Sequence, residues 1–530
     1  MQATRTDPAR IRRGQASNAA LDAALVSGGD ARLAIDPVSR LNAYGCQPSP
    51  RPAEISLSSS TASTVSGRGY AAAGTAFALL REARARDCFA PAFAYLADDV
   101  RAAIRAQFDL PQAEVVLSPS GTDGALLALF LARGVLGRPV TSIVVAADES
   151  GNGVPAAASG RHFGATASGG GAVPKGEPIA GLACATVAVP LRDAHGVQRP
   201  PQEIDAEVRR AAASAIRAGQ GVVLHVMDHS KLGSRGPSLA CVDEIRALAP
   251  SAVQVVVDAC QARLGRGQLR RYLDQGFLVL ITGSKFFTGP PLSGALLAPQ
   301  LLWDRIDRIA DIPAGLADYT ARDDWPSCFG RIRDELPARQ NVGPVLRWIA
   351  AIEDIRAYFE VPALFRKLAL AEFASAVTRH VARFSELALL PEAALSNAGL
   401  AGDRDGFAVR TIFPFTVTHR GRPLSFTQAR VLHQALNRDL ATHGLGCGDD
   451  TAATLCHLGQ PVAVPDGSGG MTGALRISAD ARLVADSWVG AGDLASTGRL
   501  MRRIDQVGTV LEKLQSCLPH LDRLGDIRLA

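Results

Sequence analysis

The stretch LITGSKFFTGPP, Leu280 to Pro291, sets one lysine between an apolar strand and a turn rich in glycine and proline. Lysines are mostly exposed, so a solvated strand-end cation is the ordinary reading of Lys285. The alternative is an amine whose pKa is pulled down by burial and a neighbouring cation, which makes a competent nucleophile and proton carrier. Asp258 stands twenty-seven residues earlier, at the end of the apolar run VQVVVD, with Gln261 three positions on. A carboxylate there either caps a helix or answers a buried cation. In SPSGTDG, Gly121, Thr122 and Asp123 sit where a strand turns into a helix. Free N–H groups and the helix dipole make such a turn an anion site, and Thr122 adds a hydroxyl. Thr and Asp also serve there as plain N-caps. The P-loop pattern GxxxxGK[ST] is absent and no good GxGxxG follows a strand, so neither nucleotide fingerprint applies.

These residues need a scaffold that gathers strand ends. Runs rich in Val, Ile and Leu (AEVVLS, TSIVVAAD, GVVLHVMD, AVQVVVDA, FLVLITG, GALLA) recur between helical stretches such as ALLALFLARGVL and SLACVDEIRALA. Continuous apolar strands alternating with helices predict an α/β fold with a parallel sheet buried on both faces, whose carboxyl-terminal edge binds ligands. Residues 159–180 are rich in glycine and alanine without a period, and read as a loop or insertion. Long helices are expected over 341–390. Past Gly406, FAVRTIFPFTV, a helix near 427–443, GALRISA and a final helix at 493–517 predict a smaller α+β domain. The expected plan is a mobile polar tail 1–38, a large α/β domain 39–335, connecting helices 336–390 and a small domain 391–530.

A chain of 530 residues has length for two or three domains. Its formal charge of +5 is small and not gathered into basic runs, so no nucleic-acid partner is implied. No apolar run approaches the roughly 20 residues that span a bilayer, and no signal-peptide core opens the chain. Nine cysteines are scattered without a CxxC pair. That argues against a zinc site or a disulfide scaffold, and points to a reducing, cytoplasmic compartment.

An anion cradle, a strand-end carboxylate and a lysine are together what pyridoxal 5'-phosphate requires: a hold on the phosphate, a partner for the ring nitrogen and an amine for the Schiff base. The chain resembles fold type I pyridoxal-phosphate enzymes, of the class V aminotransferase branch with cysteine desulfurases, selenocysteine lyases and kynureninases. SGTDG is similar to that family's phosphate turn, ADESGNGVP to the next strand end, VVVDACQAR to its Asp-x-x-Gln motif and TGSKFFTGP to its lysine segment. ARQNVGPVLRWIAAIEDI resembles the entry to the long interdomain helix, and ALRIS the strand bearing a substrate-binding arginine. The resemblance implies a mostly parallel seven-stranded sheet between helices, a smaller C-terminal α+β domain, a homodimer, and a small amino acid or amine as substrate. It implies Lys285 as the Schiff-base lysine and Asp258 as partner of the ring nitrogen. Gln261 would lie near the ring hydroxyl or the internal aldimine, and Gly121, Thr122, Thr282 and Ser284 around the phosphate. Arg339 would reach the partner subunit's phosphate, and Arg476 would bind the substrate carboxylate.

Two departures leave the reaction open between transamination and Cβ-elimination. Glu149 and Ser150 stand where the family usually has a histidine or aromatic over the ring, and Lys231 where an Asn is common. His229 and Ser230 are neighbours able to substitute, although His229 reads equally well as a satisfied buried histidine. Cys456, in CHLGQPV, precedes Arg476 by twenty residues, which raises a desulfurase-like sulfur relay as an alternative. A non-catalytic binding or regulatory protein of the same fold is the other. The serine-rich stretch Ser56–Ser63 is either a strand running past the substrate or a polar loop.

Overall fold

The computed structural model describes residues 18–392, 406–444, 448–490 and 494–526. Strand β1 (Ile55–Leu57) comes first in the chain. The central sheet follows from β2 (Ala113–Ser118), β3 (Val140–Val145), β4 (Ala185–Val189), β5 (Gly221–Met227), β6 (Val253–Asp258), β7 (Leu278–Thr282) and β8 (Gly294–Pro299). Their order is β2-β8-β7-β6-β5-β3-β4. Strand β8 runs antiparallel to both of its neighbours, and every other pairing is parallel. The mostly parallel seven-stranded sheet expected from the sequence is present, with one reversed strand.

The apolar runs are continuous because both faces are covered. Val255 and Val257 pack into one apolar cluster and Val256 into the other, following the two-residue period of a strand. Helix Gly121–Leu136 covers the Val256 face and is almost wholly buried. Ser120 caps its start by accepting the Asp123 N–H at 3.2 Å, and Gly137, at φ 61°, ends it in the left-handed region. Helices Phe89–Phe108 and Val342–Glu360 contribute to the opposite cluster.

A second sheet is built from β9 (Leu387–Leu389), β10 (Ile412–His419), β11 (Arg422–Pro423), β12 (Cys456–Pro465) and β13 (Met471–Ser478). Strand β1 completes it, running parallel beside β12 with Ile55 opposite Cys456. CHLGQPV therefore opens a strand, not a loop. Among the described residues no helix is long and apolar enough to cross a membrane.

The expected tail needs correction. Residues 18–25 are helical and Ala31–Leu33 form a short 3-10 turn, with Leu21, Leu25 and Leu33 buried. The buried Arg347 guanidinium donates to the carbonyls of Leu25, Ser27 and Gly28, and also to that of Leu292. Those bonds fix residues 25–28 against the core, so the segment 18–38 packs as part of the large domain. Residues 1–17 lie outside the described residues, as does Cys447.

Candidate active site

Five strand ends meet along one edge of the central sheet. They carry Gly121 after β2, the 146–153 loop after β3, residues 228–231 after β5, Asp258–Arg263 at the end of β6, and Thr282–Lys285 at the end of β7. Their closeness shows at two glycines. A Cβ at Gly121 would stand 2.6 Å from Cys260 Sγ and 3.5 Å from Thr282 Cγ2, so the anion turn, the aspartate turn and the lysine turn touch there. A Cβ at Gly283 would stand 2.5 Å from Ala351 Cβ, so the lysine turn lies hard against helix Val342–Glu360.

The residues after Lys285 explain its fixed position. Phe286 and Phe287 are fully buried, with ring centroids 5.2 and 5.8 Å from that of Tyr358. Thr288 (φ 57°) then turns the chain through the left-handed region, its N–H donating to the Lys285 carbonyl at 2.9 Å. Ala262 (φ 53°) does the same after the aspartate turn. Such residues cost about 1–3 kcal/mol each and gather at functional sites.

Lys285 is half-buried, and its side-chain amine has no hydrogen bond or ion pair among the described residues. Burial lowers its pKa, Arg476 and Arg263 push the same way, and Cys260 and Asp258 oppose them. Asp258 accepts the Cys260 N–H at 3.0 Å and has no ion pair among the described residues. The side-chain hydroxyls of Thr122 and Ser284 are likewise without hydrogen-bond partners there. The Thr282 hydroxyl differs, since its hydrogen goes to the Cys260 carbonyl at 2.7 Å. Gln261 donates to the Ser60 carbonyl at 3.1 Å while its Oε1 is buried and unpartnered.

Arg476 is buried, but its donors are occupied. Nε and Nη2 meet the Gln460 carbonyl, Nη1 the Ser60 and Lys231 carbonyls, and Nη2 also the Thr61 hydroxyl. All its partners are uncharged, and burial lowers its pKa to about 9. Ser59–Thr61 therefore run through the site: Arg263 donates to Ser59 Oγ at 2.9 Å, beside the Gln261 and Arg476 bonds to residue 60. Arg339 lies beside Gly169, and its guanidinium donates to the carbonyls of Ala317 and Thr320 at 3.3 Å.

Sequence reasoning missed Arg32. It is held by Asp30 through bonds of 2.6–2.9 Å and reaches Ser120 Oγ at 3.4 Å, beside the anion turn. Asp123, in the first turn of that helix, accepts from Ser120 and Ser168, and burial raises its pKa to about 6. No local pattern marks Arg32, because the segment carrying it reads as polar and weakly periodic.

The two departures have distinct explanations. Glu149 is buried, pairs with Arg192 Nε at 2.7 Å and accepts from Ser230 Oγ, so it locks two loops together. Burial raises its pKa against the pull of Arg192. Glu149→Ala would strand the Arg192 charge and is expected to cost about 3–5 kcal/mol in urea unfolding. A loss below about 1 kcal/mol would show that the pair holds nothing together. His229 is a satisfied buried histidine: Nδ1 faces Asp228 Oδ2 at 2.7 Å and Nε2 faces the Arg235 guanidinium at 3.0 Å. A guanidinium can only donate, so the Nδ1 atom bears the proton. Lys231 does reach the site, its Nζ donating to Asn152 Oδ1 at 2.9 Å. Cys456 is buried in β12 and burial pushes its thiol up to about 11, so it is neither exposed nor acidic.

No family model matches the chain, and no curated protein matches it. Among solved structures it is similar to the cystine C-S lyase C-DES (14% identity, 85% of this chain and 97% of that one, TM-score 0.47). It is also similar to the cysteine desulfurase CsdA of Escherichia coli (13% identity, 86% and 94%, TM-score 0.44). A third is the glutamate decarboxylase domain of diaminobutyrate-pyruvate transaminase and L-2,4-diaminobutyrate decarboxylase from Vibrio parahaemolyticus (16% identity, 85% and 80%, TM-score 0.44). Likeness at this level assigns no activity, and the site stands on its own geometry. By its strand order and its single reversed strand, the chain is an α/β protein of the architecture its motifs implied.

Proposed function

We propose that this edge holds pyridoxal 5'-phosphate through Lys285 and that the chain acts on a small amino acid or amine, by transamination or by loss of a β-substituent. The observation that carries the proposal is one set of uncommitted groups. The Lys285 amine and the Thr122 and Ser284 hydroxyls lack partners among the described residues, Asp258 has no ion pair there, and Gln261 Oε1 is a buried orphan. Buried polar groups are normally satisfied, so a set left open at a strand-end edge fits a bound polar group.

The donor set suits that group. Thr122, Ser284 and the free N–H groups at the start of helix Gly121–Leu136 would hold the phosphate, with the Arg32 charge beside them. Asp258 would keep a proton on the ring nitrogen, and Gln261 Oε1 would take the ring hydroxyl's hydrogen bond. When bound, the cofactor supplies an electron sink for charge left at the substrate's α-carbon. Lys285, its pKa lowered by burial and by two arginines, would accept the α-proton and return it where the product needs it. Ser59–Thr61 and Arg476 would close the substrate side and keep water out.

Purified protein is expected to be yellow, and borohydride is expected to fix the cofactor on Lys285 in peptide mass mapping. An adduct on Lys231, or none at all, would overturn the assignment.

A further inference from the structure

The chain has only five lysines among 56 basic residues, and two of them, Lys231 and Lys285, interact across this site. Where the protein uses a fixed cation it overwhelmingly uses arginine. A lysine differs in that it can drop its proton near neutrality when buried.

Lys231 is held from three sides. Its N–H donates to the Glu149 carbonyl at 3.0 Å, its carbonyl accepts from Arg476 at 3.3 Å, and its Nζ donates to Asn152 at 2.9 Å. The largest charge effects on it come from Arg476, Lys285 and Arg32, with Glu149 opposing them. That carboxylate is already committed to Arg192 and Ser230. Arg476 has only uncharged partners among its hydrogen bonds. The substrate side of the site is therefore a cationic pocket short of a counter-anion.

We propose that Lys231 and Asn152 form a proton-coupled site for a second acidic group, carboxylate or phosphate, on the ligand that approaches Lys285. The inference deepens the cofactor reading above and rests on it for the position of the ligand. Burial and then the three neighbouring cations bring the Lys231 pKa down to about 7. With so low a pKa the amine of the empty site is partly neutral near neutrality, which spares the pocket a further charge. A bound anion favours the ammonium and raises that pKa, so the amine takes a proton from solvent as the anion arrives. Well below pH 7 the amine is already charged and little uptake remains. An arginine there would bind the anion but could not vary its charge.

The test uses cofactor-loaded protein and ligands without an amine, so Lys285 is left in place. Malonate, succinate, glutarate and 3-phosphonopropionate are titrated calorimetrically at pH 7 in two buffers of different ionisation enthalpy, with acetate and propionate as single-charge controls. The best doubly acidic ligand is expected to bind about tenfold tighter than the controls, with a net proton uptake that fades as the pH is lowered. A preference for the phosphonate assigns a phosphate group, and a preference for a dicarboxylate assigns a second carboxylate. Lys231→Met should lose both the preference and the uptake. Lys231→Arg should keep the preference and lose the uptake, and it retains a long cationic stem should the methionine variant fold poorly. Equal binding of single and double acids, or a preference surviving in Lys231→Met, would overturn the proposal, as would uptake surviving in Lys231→Arg. The visible absorption and its borohydride fixation on Lys285 are recorded in the same samples. If they are present without any double-acid preference, only this inference fails; if they are absent, the cofactor reading fails.

Discussion

Lys285→Ala is expected to give a folded protein whose turnover drops by about 10²–10⁴-fold from loss of the proton carrier alone. The fold should survive because Phe286, Phe287 and the left-handed Thr288 hold the turn, while the lysine side chain bonds to nothing among the described residues. Stability should be unchanged or higher, since one cation leaves the neighbourhood of Arg476, Arg263 and Lys231. The same change should raise the pKa of Lys231, because one of the like charges depressing it is gone. Steady-state rates with an amino acid that wild type consumes, and calorimetric unfolding, check both halves. Near-normal turnover, or a collapse of stability, would show that Lys285 is a structural cation.

Asp258→Asn is the sharper change, because it alters one charge and almost no volume. An Asn Oδ1 can still accept the Cys260 N–H that Asp258 now accepts at 3.0 Å, so the turn should persist. The cofactor should remain bound through Lys285 and the anion turn. Turnover should fall by about 10²–10³-fold, the range for removing one preorganised electrostatic contact in a dry site, since a neutral amide cannot keep the ring nitrogen protonated. Asp258 also supports the charged form of Lys285, so the lysine pKa should fall further in the variant. Retained absorption with lost turnover is the expected pattern. Wild-type rates would mean another group holds the ring nitrogen.

The parts of this site that sequence revealed are those whose cause is local. Asp258 and Lys285 are polar residues ending runs of apolar ones, and a strand buried on both faces produces that pattern directly. The same signal located β2 and β5 to β8 to within a residue or two. The parts that stayed hidden depend on distant partners. Residues 18–38 read as a tail because three buried leucines make a weak pattern, and what holds them is Arg347, some 320 residues away. Glu149 read as a gap in the family pattern because its partner Arg192 lies 43 residues off in a loop. The type and place of Arg476 were legible, but its commitment to residues 60, 61 and 460 was not, since no local rule pairs β13 with the turn after β1. Lys231 could be seen only as a missing asparagine until the surrounding cations were in view.

The position of β1 has a consequence for how the molecule is made. Its partner β12, and the Arg476 that grips residue 60, lie about 400 residues downstream, the Ser60–Arg476 bond alone spanning 416. At about 5–20 residues per second, ribosomes need roughly 20–80 s to cover that distance. The central sheet, contained between Ala113 and Pro299, can close long before then. Ser59 and Ser60 can meet Arg263 and Gln261 as that sheet closes, but Thr61 and β1 must wait for Arg476 and β12. A nascent chain stalled before Cys456 would therefore carry Asp258 and Lys285 in a closed central sheet while β1 still lacked its strand partner and Thr61 its arginine.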